Sequence, residues 1–130
     1  MPPPEHAGAE SRPGGVTIHL NGLENWPALA DARSPILTAA RSALGADPRL
    51  TDGDLSITLV DDDEMERLNV EWLDRTGSTD VIAFSLGSAE SVLGDVYIAP
   101  DTAGKNASGL GVALLEEILR LVIHGTLHVV

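Results

Sequence analysis

Two histidines near the end of the chain are the residues whose type and spacing most clearly suit chemistry. His124 and His128 stand four residues apart in an apolar segment. On a helix, residues four apart lie on the same face, so both imidazoles can point at one metal ion, as zinc-binding histidine pairs do. The same spacing also arises by chance between histidines of an ordinary helix. Spacing alone therefore does not decide whether the two histidines bind a metal or have only a structural role.

The residue after the first histidine narrows the type of metal site. Zinc proteases place a glutamate there as general base, but this chain has Gly125. The glycine therefore argues against a metalloprotease-like hydrolase, which is one alternative reading of the histidine pair. Glycine inside a helix costs up to about 1 kcal/mol relative to alanine. Either a close approach of another segment at the site or tight packing against a sheet accounts for that cost.

Two further polar clusters precede the histidines, in segments 78–85 and 93–96. They contain Asp80 and Asp95 respectively. Taken alone, each aspartate is more readily a turn or capping residue at the end of a buried strand than a catalyst.

The periodicity of apolar residues predicts the elements that position these side chains. Period-two alternation favours strands at 16–20 and 55–60, and short strands are also predicted at 81–84 and 93–99. Helices are predicted from 27 to 44, from the aspartates at 61–63 to near 77, briefly after Pro100, and from about Val112 to the end. A glycine-rich connection is predicted at 106–111. The last helix has few polar gaps, which predicts a central, buried position.

The resulting order, β-α-β-α-β-β-α-α, predicts one mixed α/β domain over residues 16–130. Its sheet has about four strands, with helices packed on it. Residues 1–15 contain four prolines and three glycines and no apolar run, so we expect a flexible tail.

Composition limits the classes of function. The chain has no cysteine, which excludes disulfides, cysteine-bound zinc and thiol catalysis. No stretch approaches the roughly 20 apolar residues of a membrane span, and a cytoplasmic location is expected. Eight basic and 20 acidic residues give a formal net charge of -12. This charge argues against a broad nucleic-acid-binding surface, so any RNA contact must be local and helped by a bound cation.

Taken together and in order, several segments resemble the YbeY family of rRNA maturation endoribonucleases. They are Asn69 in the second predicted helix, TDVIAF at 79–84, LGDV at 93–96, PDTA at 100–103 and HGTLH at 124–128. The similarity runs from about Leu55 to the last residue. Four spaced motifs in order are far more specific than any one of them.

The resemblance implies one zinc ion per chain, held by three histidines, with His124 and His128 matching the first two. It implies that Glu117 contacts the metal ligands and not the metal itself or, alternatively, that it forms an ion pair on the helix surface. It also makes Asp80, Asp95 and Arg75 candidates for the cleft. The expected activity is zinc-dependent, single-strand-specific RNA cleavage in rRNA maturation and ribosome quality control. The expected partner is ribosomal RNA or the ribosome, with neither DNA nor membrane.

The sequence departs from the family pattern in three places, one of which is Leu86, where the family usually has proline. It stops at Val130, before the third family histidine, and neither His6 nor His19 is an obvious substitute. We therefore expect a C-terminally incomplete sequence that holds zinc weakly and cleaves little RNA. A non-catalytic ribosome-associated factor is the alternative if the chain truly ends there. Leu73 occupies a position where many members carry arginine, which Arg75 partly replaces.

Overall fold

A computed structural model describes residues 9–10, 15–45, 52–87 and 91–130. Within these residues there are five strands and four α-helices, besides two short 3-10 turns. The strands are β1 (Ala9–Glu10), β2 (Val16–Asn21), β3 (Asp52–Leu59), β4 (Val81–Ser85) and β5 (Ser91–Ile98). The helices are α1 (Arg33–Leu44), α2 (Asp62–Leu73), α3 (Pro100–Leu110) and α4 (Leu114–Val129). The predicted mixed α/β class is confirmed.

The strands form one mixed sheet in the order β1-β2-β3-β5-β4. The neighbours β2, β3 and β5 are parallel, and β1 and β4 are antiparallel edge strands. Four strands of five or more residues agree with the predicted number, and β1 adds a strand of two residues. This short strand lies within the predicted tail. Otherwise the prediction of a flexible tail falls almost entirely outside the described residues.

The two faces of the sheet differ in chemistry. One face carries Ile18, Leu55, Ile57 and Val96, all without solvent exposure, in the main hydrophobic core. Burying a side chain of this kind contributes roughly 1.5–3 kcal/mol. The opposite face carries polar residues on β2 and β3, and α2 covers part of it through a smaller apolar cluster that includes Met65. The apolar face of each strand is therefore the one that points toward α4.

Helix α4 packs against α1, α3, β4 and β5, which agrees with its predicted central position. Seven of its 16 residues are buried, and the side that includes Ile123 and Leu127 is exposed. Among the described helices, none combines the length and apolar character that a bilayer crossing requires.

The predicted glycine-rich connection at 106–111 is wrong, because α3 continues to Leu110. Ala103 and Ala107 are buried along this helix, and their packing outweighs the low helix propensity of Gly109. The helix ends at Gly111, whose φ of 71° is the left-handed conformation typical of a helix C-terminus.

Candidate functional site

The two histidines of α4 lie side by side on its exposed side. The ring centroids of His124 and His128 are 6.1 Å apart, and the ring planes are inclined by 19°. Zinc–nitrogen bonds of about 2.0–2.1 Å let two imidazoles share one ion when their centres are about 5–6 Å apart. The pair is close enough to share one metal ion, but a metal lies in the plane of each imidazole that binds it, so the nearly parallel rings must first rotate toward one another.

Both histidines line a cleft of about 210 Å³. The cleft lies between α4, the edge strand β4 and the segment that follows α2. Its lining residues are Leu73, Arg75, Val81, Ile82, Ala83, His124, Gly125 and His128. The structure thus brings one of the three predicted cleft candidates, Arg75, together with the histidine pair.

A buried asparagine holds the segment that carries Arg75. The backbone of Asp74 adopts a φ of 51° and ends α2, and the Arg75 N–H donates to the Asn69 carbonyl at 3.1 Å. The Asn69 side chain donates to the Gly77 carbonyl at 3.0 Å. Asn69 belongs to the family pattern, but the sequence did not indicate this positioning role, which depends on contacts made after the helix has ended.

Gly125 lets α4 approach the sheet closely. A Cβ atom at this position would lie 2.6 Å from Val96 Cγ1 and 3.3 Å from Val81 Cγ2. Of the two explanations left open by the sequence, packing against the sheet is the one that the contacts support, and it occurs at the cleft wall. The Ser85 hydroxyl also donates to the Val129 carbonyl at 2.6 Å, which attaches the last turn of α4 to β4.

Asp80 is not among the residues that line the cleft. Its carboxylate accepts hydrogen bonds from the Asn106 side chain at 3.2 Å and the Thr79 hydroxyl at 3.5 Å. Its carbonyl accepts the Ala99 N–H at 2.9 Å. Asp80 therefore joins the start of β4 to α3 and to the end of β5.

Asp95 lies on the face of the sheet opposite α4. Its neighbours Gly94 and Val96 contact α4, and adjacent residues of a strand point to opposite faces. Phe84 is its partner across the strands. Burial raises the pKa of the Asp95 carboxyl above its usual value. The structure does not place Asp95 in the cleft, because the register of β5 turns it away from the histidines.

Glu117 forms a bidentate ion pair with Arg120. The two nitrogen–oxygen distances are both 2.7 Å, and Glu117 is only 1% exposed. The hydrogen bonds from Arg120 hold the pKa of the Glu117 carboxyl below its usual range. Seven residues of helix separate Glu117 from His124 by about 10 Å. Of the two alternatives for Glu117, the structure shows the ion pair and no contact with either histidine.

The histidine pair has two nitrogen donors, whereas catalytic zinc sites keep three protein ligands. Within the part of the chain that the structure describes, no group of three His, Cys, Asp or Glu residues could hold a metal ion. His19 lies on β2 and contacts the Asp54 carboxylate at 2.9 Å. His6 lies outside the described residues. The two histidines therefore offer zinc part of a ligand set.

The fold and the cleft define a mixed α/β protein with a helical histidine pair beside an edge strand. The family model described as "Endoribonuclease YbeY" matches residues 24–130. The chain belongs to the YbeY family.

Similar proteins named Endoribonuclease YbeY agree with this assignment. The Aquifex aeolicus protein is 39% identical over 114 residues, 85% of this chain and 67% of the relative. The Clavibacter michiganensis protein is 35% identical over 103 residues, 72% of this chain and 65% of the relative. The chain thus spans about two thirds of the length of these two relatives, and 57% of the Clavibacter sepedonicus protein.

The solution structure of TM1509 from Thermotoga maritima has a similar fold. It superposes with a TM-score of 0.62 at 25% sequence identity, covering 86% of this chain and 71% of that one.

Proposed function

We propose that this chain acts in metal-dependent endonucleolytic cleavage of single-stranded RNA, with zinc as the cofactor and ribosomal RNA as the substrate. The observation that carries the proposal is the pair His124 and His128, which opens into one cleft with Arg75. Relatives named Endoribonuclease YbeY supply the reaction class. Maturation of rRNA, ribosome quality control and a cytoplasmic location belong to the same proposal.

Each cleft residue has a role that its chemistry suits. His124 and His128 would supply two nitrogen ligands to zinc after a rotation of their rings, and both side chains line the same cleft. A zinc ion held there supplies Lewis-acid chemistry for phosphodiester hydrolysis. The guanidinium of Arg75 offers a planar set of donors to phosphate oxygens. Asn69 keeps Arg75 at the cleft by fixing the segment 74–77.

The charge of the chain restricts how it meets RNA. A net charge of -12 repels the phosphate backbone over most of the surface. The cleft concentrates one arginine and two histidines at a single place. RNA is therefore held locally, near the phosphate that reacts, and not along an extended basic groove.

The test combines metal binding with RNA cleavage. We expect weak zinc binding by the chain, because two ligands leave the ion incompletely held. His124→Ala or His128→Ala should lower zinc affinity at least about 10-fold and remove zinc-dependent cleavage of a single-stranded rRNA fragment. His19→Ala, which removes a histidine outside the cleft, is the matched control and should change neither.

Two outcomes would contradict the proposal. Zinc affinity that is unchanged in both cleft variants would show that the pair is not a metal site. The chain should cleave a small amount of RNA at saturating zinc, so RNA or ribosome binding with no detectable zinc-dependent cleavage would favour a non-catalytic ribosome-associated factor.

A further inference from the structure

Trp72 is a large aromatic residue left exposed beside the cleft. Its residue surface is 63% exposed at the end of α2, and the next residue, Leu73, lines the cleft. Its ring meets Phe84 edge to face, with centroids 6.3 Å apart. Phe84 in turn follows Ala83, another lining residue. Both elements that position Trp72 therefore also contribute residues to the cleft, and the Phe84 ring itself points to the sheet face opposite α4.

The ring of Trp72 is exposed but supported from beneath. Phe84 meets Tyr97 with ring centroids 6.1 Å apart and planes inclined by 78°. Phe84 and Tyr97 both pack against the buried cluster that contains Met65. An edge-to-face contact occupies at most one face of the indole, so the other face is available. Supported aromatic rings of this kind lose little conformational entropy when they bind a flat ligand.

The size of the cleft indicates what must remain outside it. Pockets that enclose a small organic molecule usually measure about 300–1,000 Å³, whereas this cleft measures about 210 Å³. It has room for a phosphate group between the histidines and Arg75, but not for a complete nucleotide. The base attached to that phosphate must lie outside the cleft, and Trp72 is an exposed aromatic residue next in the chain to the lining residue Leu73.

Because the chain is strongly acidic, its affinity for RNA must come partly from contacts that do not depend on charge. The net charge of -12 opposes RNA binding, and Arg75 is the arginine that lines the cleft. Base–aromatic stacking is tolerant of sequence and does not depend on cationic groups. Resting on the function proposed above, we propose that Trp72 is a base-stacking residue. It receives a nucleobase of single-stranded RNA next to the phosphate in the cleft.

The experiment measures binding of a short single-stranded RNA to the chain at low ionic strength. Trp72→Ala should weaken binding roughly 5- to 150-fold, and Trp72→Tyr should retain most of the affinity because it keeps an aromatic ring. A scan with one abasic nucleotide at a time should find a position that weakens binding to the unchanged chain but not to Trp72→Ala. In a Trp26→Phe background, RNA should quench the fluorescence of Trp72.

The outcomes separate this inference from the proposed function. Equal affinity of the unchanged chain and Trp72→Ala, with zinc-dependent cleavage intact, would overturn the stacking role alone. Absence of both RNA binding and cleavage in the unchanged chain would overturn the two together. If Trp72→Ala does not fold, as circular dichroism would show, the abasic scan on the unchanged chain and the quenching of Trp72 fluorescence decide. No abasic effect and no quenching would then refute the inference.

Discussion

The close approach of α4 to the sheet makes Gly125→Ala an informative perturbation. The new Cβ would lie 2.6 Å from Val96 Cγ1, where carbon atoms normally sit about 3.5–4.0 Å apart. Val96 is fully buried and its branched side chain is stiff. The helix must therefore move away from the sheet by several tenths of an ångström, and it carries His124 and His128 with it.

The magnitude follows from two opposing contributions. Overpacking a close-packed interior typically costs about 1–3 kcal/mol, and alanine regains up to about 1 kcal/mol of helix propensity over glycine. Gly109→Ala in α3 measures the gain in helix propensity without overpacking, because a Cβ there meets nothing within 4 Å. We expect Gly109→Ala to stabilise the fold and Gly125→Ala to be about 1–3 kcal/mol less stable than that control.

Thermal unfolding of both variants measures the difference, at roughly 3–5 °C per kcal/mol for a domain of this size. Zinc titration should show weaker binding in Gly125→Ala only. Adding Val96→Ala to Gly125→Ala removes the clashing methyl group and should give a favourable coupling free energy of about 0.5–3 kcal/mol. If Gly125→Ala raises the melting temperature as much as Gly109→Ala, α4 does not approach β5 as closely as the structure shows.

Three further predictions concern charges and the end of α4. Arg120→Met should destabilise the fold by about 1–3 kcal/mol at pH 7. Because Arg120 lowers the pKa of Glu117, this difference should be complete above about pH 4.3 and shrink as the pH falls further; equal urea midpoints at pH 7 would refute it. Asp95→Asn should be stabilising at pH 7, since burial raises the pKa of Asp95, and the gain should vanish below about pH 4; a destabilised variant would refute it. Ser85→Ala should cost about 0.5–1.5 kcal/mol and speed amide exchange near Val129; unchanged exchange would contradict the observed hydrogen bond.

Local rules predicted much of the fold. The Asp61 side chain accepts the Glu64 N–H at 2.8 Å, as expected of an aspartate that caps α2. The four predicted strand segments became β2, β3, β4 and β5 because one face of each can be buried. The extent of α3 could not be predicted from glycine content, since burial of Ala107 depends on another helix.

The candidate site was predictable only in part. The relative position of His124 and His128 is a property of a single helix, so their spacing was sufficient. Arg75 depends on contacts that Asn69 makes across eight residues, from α2 to Gly77. Whether Asp95 faces the cleft depends on the register between β4 and β5, which pairs it with Phe84. A shift of one residue along a strand exchanges its two faces, and no short motif specifies that choice.

The cleft therefore depends on three separate structural features, each determined by a different part of the sequence. The metal-ligating pair depends on helical spacing. The position of Arg75 depends on a helix end held by a buried amide. The close approach of α4 to β4 and β5 depends on the absence of a side chain at Gly125, where Val81 and Val96 fill the space. A substitution that preserves both histidines can consequently still open the cleft, and the distance between α4 and the sheet is as much a part of the site as its ligands.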